Sequence, residues 1–168
     1  MNIEEYYSKI YRLSFIQRYA NIARIRNEDV AQHSFFVSAI ILNLHDVYVF
    51  DLGRALQAAV CHDITESDLS DVTHQVKHDY PQLAAEIKKV EMQVISKYPQ
   101  AVIEGFKIFE DESSVEGLIA NLADVIQVRQ YIEYEISLGN KNVFGIKVEA
   151  SKRINKLEER LQSYAYYT

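Results

Sequence analysis

Four side chains with metal-binding chemistry stand within or directly after apolar segments of this 168-residue sequence. His62 and Asp63 follow the apolar run LQAAVC, while His33 lies in VAQHSFFV and Asp124 lies in LIANLADVIQV. A carboxylate on an inward helical face must be paired, hydrogen-bonded or bound to a metal, because burying it alone is costly. Two imidazoles and two carboxylates suit a divalent transition ion such as Mn, Fe, Co, Ni or Zn, and such an ion supports phosphoester hydrolysis.

Each of these residues also has a plainer structural interpretation. Asp124 could be salt-bridged to an arginine, and His33 could be a hydrogen-bonded core histidine. The dipeptide His62-Asp63 arises easily by chance. The metal-site hypothesis therefore depends on the combination of the four residues and not on any one of them.

Two further acids follow the His62-Asp63 pair in the same stretch. Glu66 comes four residues after His62 and shares its helical face if the helix continues for one turn, a position that suits a general acid or base. Asp71 lies in the polar segment beyond it and could orient a water molecule or a ligand. A solvated surface acid is the alternative for either residue.

The elements that carry these residues follow a helical pattern, because apolar residues recur at three- and four-residue spacing and no alternating strand signal is found. The stretch 65–75 is too polar for a long core helix and predicts short turns that line a cleft. We predict an all-α fold of about six to seven helices in a single domain, residues 1–168. The predicted helices are 6–18, 30–46, 52–62, 82–96, 100–109, 115–138 and 142–164.

Three local signals mark helix ends near the candidate residues. Asp29 is suited to cap the helix that carries His33. Ser113 and Glu116 match the capping-box pattern before the helix that carries Asp124. Gly139 and the asparagine after it supply a stop signal for that same helix.

Composition and charge exclude several classes of protein. A net charge of −6 argues against a protein that coats nucleic acid, since such a protein normally carries a basic face. The single cysteine, Cys61, cannot form an internal disulfide, and the N-terminal residues lack a signal-peptide layout. The apolar runs are far shorter than the roughly 20 residues that a membrane helix needs. We therefore expect a cytoplasmic protein with neither a membrane span nor a nucleic-acid polymer as partner.

The order His, His-Asp, Asp resembles the signature of HD-domain metal-dependent phosphohydrolases. The longer pattern is similar to the YfbR-like bacterial 5'-deoxynucleotidases, and the similarity covers most of the chain. It begins with an arginine and an aromatic residue, continues with R-x-E-[ND]-V-x-[EQ]-H-S at residues 26–34 and with the HD stretch at residues 62–77, and ends with A-D and G-N. In this sequence the pairs are Arg18-Tyr19, Ala123-Asp124 and Gly139-Asn140.

This resemblance implies an HD-type helical bundle with one divalent ion, namely Co, Mn, Zn, Ni or Fe, with Mg as a further option. It also implies roles for individual residues. The implied metal ligands are His33, His62, Asp63 and Asp124. The implied catalytic residues are Glu66, as the acid, and Asp71, as a water- or sugar-contacting residue. The implied substrate-binding residues are Arg18 at the phosphate, Tyr19, and Lys77, to which no role is assigned.

The sequence departs from the family pattern at two places. Tyr19 stands where the family usually has tryptophan, and the usual loop T-G-D-L-P-T-P-V-K is replaced by LSDVTHQVK. Both changes concern the choice of substrate more than the metal site.

The resemblance implies a hydrolase that converts deoxynucleoside monophosphates to deoxynucleosides and phosphate. One alternative is a dNTP triphosphohydrolase on the same metal site, for which Arg24, Arg26 and Lys77 are available as additional basic groups. A second alternative is a non-catalytic helical binding module. A phosphodiesterase acting on a second messenger or an oligonucleotide is also conceivable for an HD fold, but the acidic chain lacks an obvious basic groove.

Oligomerisation is also implied by the resemblance, since the family tends to form dimers. The sequence has 12 tyrosines, including Tyr164, Tyr166 and Tyr167 near its end, and these could line a subunit interface. Packing within the monomer is the alternative. We expect a homodimer or a higher homo-oligomer.

Overall fold

A computed structural model describes residues 1–165 of the chain, apart from the side chain of His74. Tyr166 and Tyr167 of the tyrosine-rich tail lie outside the described residues. Residues 1–165 form an all-α fold, as predicted, and their only β-type pairings are two isolated bridges. The α-helices are α1 (Ile3–Arg12), α2 (Val30–Leu44), α3 (Leu52–Cys61), α4 (Glu66–Leu69), α5 (His74–Asp79), α6 (Pro81–Ile95), α7 (Gln100–Glu110), α8 (Val115–Ser137) and α9 (Phe144–Leu161).

The long helices are those that the apolar periodicity predicts, and the short ones lie in the polar stretch. Among the described residues, seven helices have ten or more residues, while α4 has four and α5 has six. The polar stretch offers few apolar side chains to bury, which limits α4 and α5 to one or two turns. No helix in the described part of the chain is long and apolar enough to span a membrane.

Side-chain caps fix where the helices that carry the candidate residues begin. The Asp29 carboxylate accepts a hydrogen bond of 2.8 Å from the first turn of α2, as predicted. The predicted cap of α8 is wrong by one residue: Ser114, not Ser113, accepts from the Gly117 backbone N–H. Ser113 instead donates to the Asp111 carboxylate, which closes the turn between α7 and α8.

The C-terminal end of α8 confirms the predicted stop signal. Gly139 has a φ of 99°, in the left-handed region that glycine adopts without strain. The Asn140 N–H donates to the Glu135 carbonyl and the Gly139 N–H donates to the Ile136 carbonyl, which is the hydrogen-bond pattern of a Schellman motif.

The first helix ends earlier than predicted, and this shift matters for the candidate site. α1 ends at Arg12 and a short 3-10 helix, Leu13–Phe15, follows, although periodicity predicts helix to residue 18. The next residues are not helical because their backbone pairs with the segment before α2. The Arg18 N–H donates to the Glu28 carbonyl at 2.9 Å. This pairing brings Arg18 next to the start of α2.

The core is built around α8, whose side chains pack against α2, α3, α7 and α9. Leu122 and Ile132 of α8 are fully buried, together with Ile41 of α2 and Leu157 of α9. Burying a side chain of this kind contributes about 1.5–3 kcal/mol. Because α2, the end of α3 and α8 meet in this core, polar residues on their facing sides are brought together.

Candidate functional site

Three core elements carry the candidate metal ligands to one place. His33 lies on the first turn of α2, His62 is the C-cap of α3, Asp63 follows it, and Asp124 lies in the middle of α8. His33 is fully buried and His62 is 5% exposed. The two histidines are therefore held by packing on every side except the one on which they face each other.

The structure brings the four predicted ligand residues within contact distance. His33 Nε2 lies 3.1 Å from His62 Nε2 and 3.1 Å from Asp124 Oδ1. Asp63 Oδ2 lies 3.1 Å from His62 Nε2 and 3.6 Å from His33 Nε2. One donor atom each from His33, His62 and Asp124 lies within 4.8 Å of the other two. These three residues form a group that could hold a metal ion, with Asp63 beside it.

Hydrogen bonds on the outer side of the rings define which imidazole nitrogens carry protons. His62 Nδ1–H donates to the Ala59 carbonyl at 2.7 Å. His33 Nδ1–H donates to Gln127 Oε1 at 2.7 Å, and Gln127 is oriented because its Nε2 must donate to the Glu28 carboxylate. Both Nε2 lone pairs consequently point into the space between the rings, which is the arrangement of metal-binding histidines.

The charges around the two rings favour a cation between them. Burial alone raises the pKa of Asp124, but in the metal-free site a proton on His33 Nε2, through its hydrogen bond and charge, and the charges of His62 and Arg18 lower that pKa below its ordinary value. A divalent ion that displaces the protons from the Nε2 atoms would meet their lone pairs. The pKa of Asp63 is also lowered, since His62, His33 and a nearby arginine outweigh burial. Two ionised carboxylates beside two imidazole lone pairs form a donor set that fits a divalent ion.

Glu66 lies one turn beyond His62 because the chain stays coiled between α3 and α4. The Glu66 N–H donates to the Asp63 carbonyl at 3.0 Å, which continues the turn. Glu66 Oε2 is buried and has no hydrogen-bond partner among the described residues. Burial, assisted by the negative charges of Asp63 and Asp71, raises the pKa of Glu66 to about 9. This carboxyl group can therefore hold a proton at neutral pH.

Asp71 and Lys77 lie close enough to Glu66 for their charges to affect its pKa. Burial raises the pKa of Asp71, and the charges of the nearby arginine and Lys77 oppose this shift. Lys77 Nζ donates to Glu91 at 3.4 Å, and its side chain is 40% exposed. The structure thus places Lys77 at the rim of the site, whereas Asp71 belongs to its interior.

Arg18 enters the site from the segment before α2. Its Nη1 lies 3.4 Å from Asp63 Oδ2 and its Nε lies 3.7 Å from Glu28 Oε1. The next residue, Tyr19, has a φ of 57°, and its ring stacks on Tyr131 with a centroid distance of 4.9 Å and an interplanar angle of 1°. The Arg18 guanidinium lies 5.5 Å from the centroid of the Tyr19 ring, so the two neighbouring side chains stay close together.

Two buried polar residues next to His33 are not among the functional residues that the sequence predicts. They lie behind the metal-ligand cluster, by which we mean His33, His62, Asp63 and Asp124. Glu28 and Gln127 are each 4% exposed, and they form the hydrogen bonds that reach His33. The sequence contains a signal for Gln127, because it lies three residues after Asp124 and so shares its helical face. Glu28 falls within the motif at residues 26–34, but its spacing alone does not show what it contacts.

Another buried acid, Glu135, orders the loop that follows Arg18. Its carboxylate accepts from the backbone N–H groups of Ile25 and Arg26 at 2.8 and 2.7 Å. The Asn140 side chain donates to Glu135 and to the Ala23 carbonyl. Asn140 therefore does more than end α8, since it ties the loop to that end of the helix.

Comparison with known proteins agrees with this geometry. A family model described as 5'-deoxynucleotidase YfbR-like matches residues 5–168. The 5'-deoxynucleotidases of Yersinia pestis and Yersinia pseudotuberculosis are 26% identical over 165 residues, which cover 90% of this chain and 84% of each relative.

Solved structures share the fold. A Pyrococcus horikoshii protein superposes with a TM-score of 0.81 at 24% identity, over 96% of this chain and 97% of that protein. An HD-domain phosphohydrolase from Listeria innocua superposes with a TM-score of 0.79 at 22% identity, over 95% of this chain and 82% of that protein.

Proposed function

Because the chain belongs to the YfbR-like family of 5'-deoxynucleotidases and is a hydrolase with the HD-domain fold, we propose that it removes the 5'-phosphate from deoxynucleoside monophosphates at the cluster of His33, His62, Asp63 and Asp124. The convergence of these side chains from α2, the end of α3 and α8 supports the proposal most directly. The adjacent Arg18 supplies a fixed positive charge for a phosphate.

The proposed ligands of one divalent ion are the Nε2 atoms of His33 and His62 and the carboxylates of Asp63 and Asp124. Mixed nitrogen and oxygen ligands favour Co, Mn, Zn, Ni or Fe over Mg, which prefers oxygen ligands alone. When bound, such an ion polarises a phosphoryl oxygen and makes water more acidic.

The basic groups around the site favour a monophosphate over a triphosphate. Arg18 lies against the ligand cluster, 3.4 Å from Asp63. Arg24 donates to a backbone carbonyl and to an asparagine of its own loop, and Arg26 lies over an aromatic ring. Two of the additional cations that a triphosphate could use are thus engaged in other contacts in residues 1–165.

Glu66 is the proposed general acid. Water attacks phosphorus, the new P–O bond forms as the bond from phosphorus to the 5'-oxygen breaks, and the leaving oxygen takes the Glu66 proton. The attacking water loses one proton to solvent, and Glu66 takes up a proton from solvent before the next turnover. The buried Oε2 of Glu66, which has no hydrogen-bond partner within the described chain, supports this role because it is free to contact substrate. The raised pKa keeps that proton on Glu66 at neutral pH until it is transferred.

Tyr19, Asp71 and Lys77 are the proposed contacts to the rest of the nucleotide. The Tyr19 ring lies beside Arg18, and its hydroxyl is buried without a hydrogen-bond partner in residues 1–165. Asp71 lies close to Glu66 and is suited to bind a sugar hydroxyl or a water molecule. The 40% exposure of the Lys77 side chain supports a contact at the edge of the site. A homo-oligomeric state and a cytoplasmic location stay predictions from the sequence.

Product analysis tests this function. Metal-loaded protein is incubated with each of the four dNMPs and the four dNTPs, and products are separated by ion-exchange chromatography. We expect deoxynucleoside and phosphate from dNMPs, and a loss of about 10²–10⁴-fold in kcat for Glu66→Gln. Tripolyphosphate from a dNTP with the dNMPs intact would establish a triphosphohydrolase instead, and no reaction with any substrate would contradict both.

A further inference from the structure

Two buried hydrogen bonds and one ion pair connect His33 to Arg18 behind the cluster of His33, His62, Asp63 and Asp124. His33 Nδ1–H donates to Gln127 Oε1 at 2.7 Å, and Gln127 Nε2 donates to Glu28 Oε2 at 2.7 Å. The other carboxylate oxygen, Glu28 Oε1, lies 3.7 Å from Arg18 Nε. Glu28 and Gln127 are each 4% exposed, so water cannot easily replace these partners.

We propose that Gln127 and Glu28 are positioning residues that set the affinity of the metal centre by holding His33 in one tautomer and one ring orientation. This inference rests on the proposed metal centre. Neither residue contacts the metal position, and each acts only through His33.

The directions of the two hydrogen bonds follow from the chemistry of Glu28 and His33. The Glu28 carboxylate can only accept hydrogen bonds when it is ionised, so the amide nitrogen of Gln127 must face it. The amide oxygen of Gln127 then faces His33 and requires a proton on Nδ1. The Nε2 lone pair is thereby kept free for a metal ion.

The positive charge of Arg18 stabilises the buried carboxylate of Glu28. A buried carboxylate with one hydrogen bond is costly unless a positive charge lies nearby. The Arg18 side chain supplies that charge, and its backbone N–H also donates to the Glu28 carbonyl at 2.9 Å. Glu28 is therefore fixed at both its backbone and its side chain, which makes it a rigid anchor for Gln127.

The first test removes the link between Glu28 and His33. Gln127→Leu leaves His33 Nδ1–H and Glu28 Oε2 without a partner, and we expect Co²⁺ to bind about 10–100-fold more weakly. The affinity is measured by isothermal titration of the metal-free protein with Co²⁺ alone. Gln130→Leu is the matched control, because it is the same substitution at an exposed position of the same helix, α8.

The second test separates the hydrogen-bond chain from simple packing. The double variant Glu28→Gln with Gln127→Glu exchanges the two end groups. The new carboxylate accepts from His33 Nδ1–H and from the new amide, so the chain is rebuilt with the same tautomer at His33. We expect the Co²⁺ affinity to return to that of the wild type or to exceed it, because a carboxylate raises the basicity of a ligating histidine.

The outcomes distinguish this role from the proposed function. Wild-type affinity in Gln127→Leu would overturn the inference, as would weak binding in a double variant whose thermal denaturation shows a folded protein. A wild-type chain that does not bind Co²⁺ would overturn the metal centre and this role with it. If the affinities follow the expected order but no deoxynucleotide is hydrolysed, only the proposed function fails.

Discussion

The environment of Glu66 opposes the ionisation of its carboxyl group. This lowers the stability of the folded state at a pH at which glutamate ionises in an unfolded chain. Burial of the Glu66 carboxyl and the charges of Asp63 and Asp71 disfavour the ionised form and outweigh the opposing charges of Arg18 and Lys77. In an unfolded chain the same group ionises near its ordinary pKa. At low pH both states hold the proton and the protein has its full stability. Stability falls as pH rises above the ordinary pKa of glutamate and reaches its lower limit at the folded-state pKa of about 9.

Replacing Glu66 by glutamine should remove this pH dependence in the metal-free protein. The wild type loses stability relative to Glu66→Gln from about pH 5 to pH 8, because between the two pKa values only the folded state holds the proton. We expect the difference in melting temperature to grow to roughly 5 °C or more in favour of the variant, since about 1 kcal/mol corresponds to 2–4 °C for a chain of this size.

The control for this prediction is Glu149→Gln, which changes a side chain that is 72% exposed. Its melting temperature should follow that of the wild type at every pH. Thermal denaturation in the presence of a chelator measures all three proteins. A difference between Glu66→Gln and wild type that stays constant from pH 5 to pH 8 would contradict the raised pKa.

Tyr131 controls the position of the proposed nucleotide-contacting ring. It stacks on Tyr19, and its hydroxyl donates to the Arg26 carbonyl at 2.6 Å. An aromatic pair contributes about 0.5–1.5 kcal/mol beyond burial, so Tyr131→Leu should raise the KM for a dNMP roughly 2–10-fold. Tyr131→Phe keeps the ring and should have a smaller effect. Steady-state kinetics at saturating metal measure both, and an unchanged KM in Tyr131→Leu would contradict the role.

The candidate metal ligands were easier to predict from the sequence than the buried residue Gln127, which forms a hydrogen bond with one of them. His33, His62, Asp63 and Asp124 are predicted because their residue types are unusual on apolar helical faces, and the structure brings them together. Gln127 is not predicted, since an amide on a buried face has many structural explanations. Its importance depends on which groups its two ends reach, and this is set by packing between α2 and α8.

At the scale of helices, predictions succeeded where one residue determines the geometry. Asp29 and Gly139 each act locally, through a side-chain cap and a left-handed φ, so sequence patterns identify them. The end of α1 and the cap of α8 were predicted less well. In both cases a neighbouring segment decides the outcome: Glu28 pairs with the backbone after α1, and Asp111 binds the serine that the pattern favours.

The crossing of α3 and α7 depends on the lack of a side chain at Gly105. A Cβ added there would lie 2.6 Å from the Gln57 carbonyl oxygen and 2.8 Å from Cys61 Sγ. Cys61 directly precedes His62, so the close packing of these helices also fixes the end of α3 that carries the proposed metal ligands His62 and Asp63.

Gly105→Ala should therefore separate α3 from α7 and destabilise the protein. We expect the free energy of unfolding in urea to fall by about 1–3 kcal/mol, the usual cost of overpacking. Gly145→Ala is the control, because an added Cβ meets no atom within 4 Å there and the same change should raise stability by about 0.4–1 kcal/mol. Equal stability of the two variants would show that the helices can move apart freely.

At the scale of the whole molecule, the site joins parts of the chain that are far apart in sequence. His33 and His62 are 29 positions apart, and His33 and Gln127 are 94 positions apart. A bound ion would hold α2, the end of α3 and α8 to one another at the centre of the core. Metal binding and folding should therefore be coupled, since the ligands have this arrangement only in the folded state.

Removal of the metal should accordingly lower the melting temperature of the whole domain. At a free ion concentration of 100 times Kd the folded state gains about 2.7 kcal/mol, which corresponds to roughly 5–10 °C at this size. Asp124→Asn should abolish this metal-dependent increase, because it removes a ligand from the centre of α8. It should also lower the melting temperature of the metal-free protein at neutral pH, because the lowered pKa of Asp124 means that its ionised form stabilises the folded state. The quantity to compare is therefore the increase that Co²⁺ produces in each variant. Asp46→Asn, at an exposed position, should retain the full increase. Differential scanning calorimetry with and without Co²⁺ measures the effect, and an equal increase in both variants would place the ion somewhere other than this cluster.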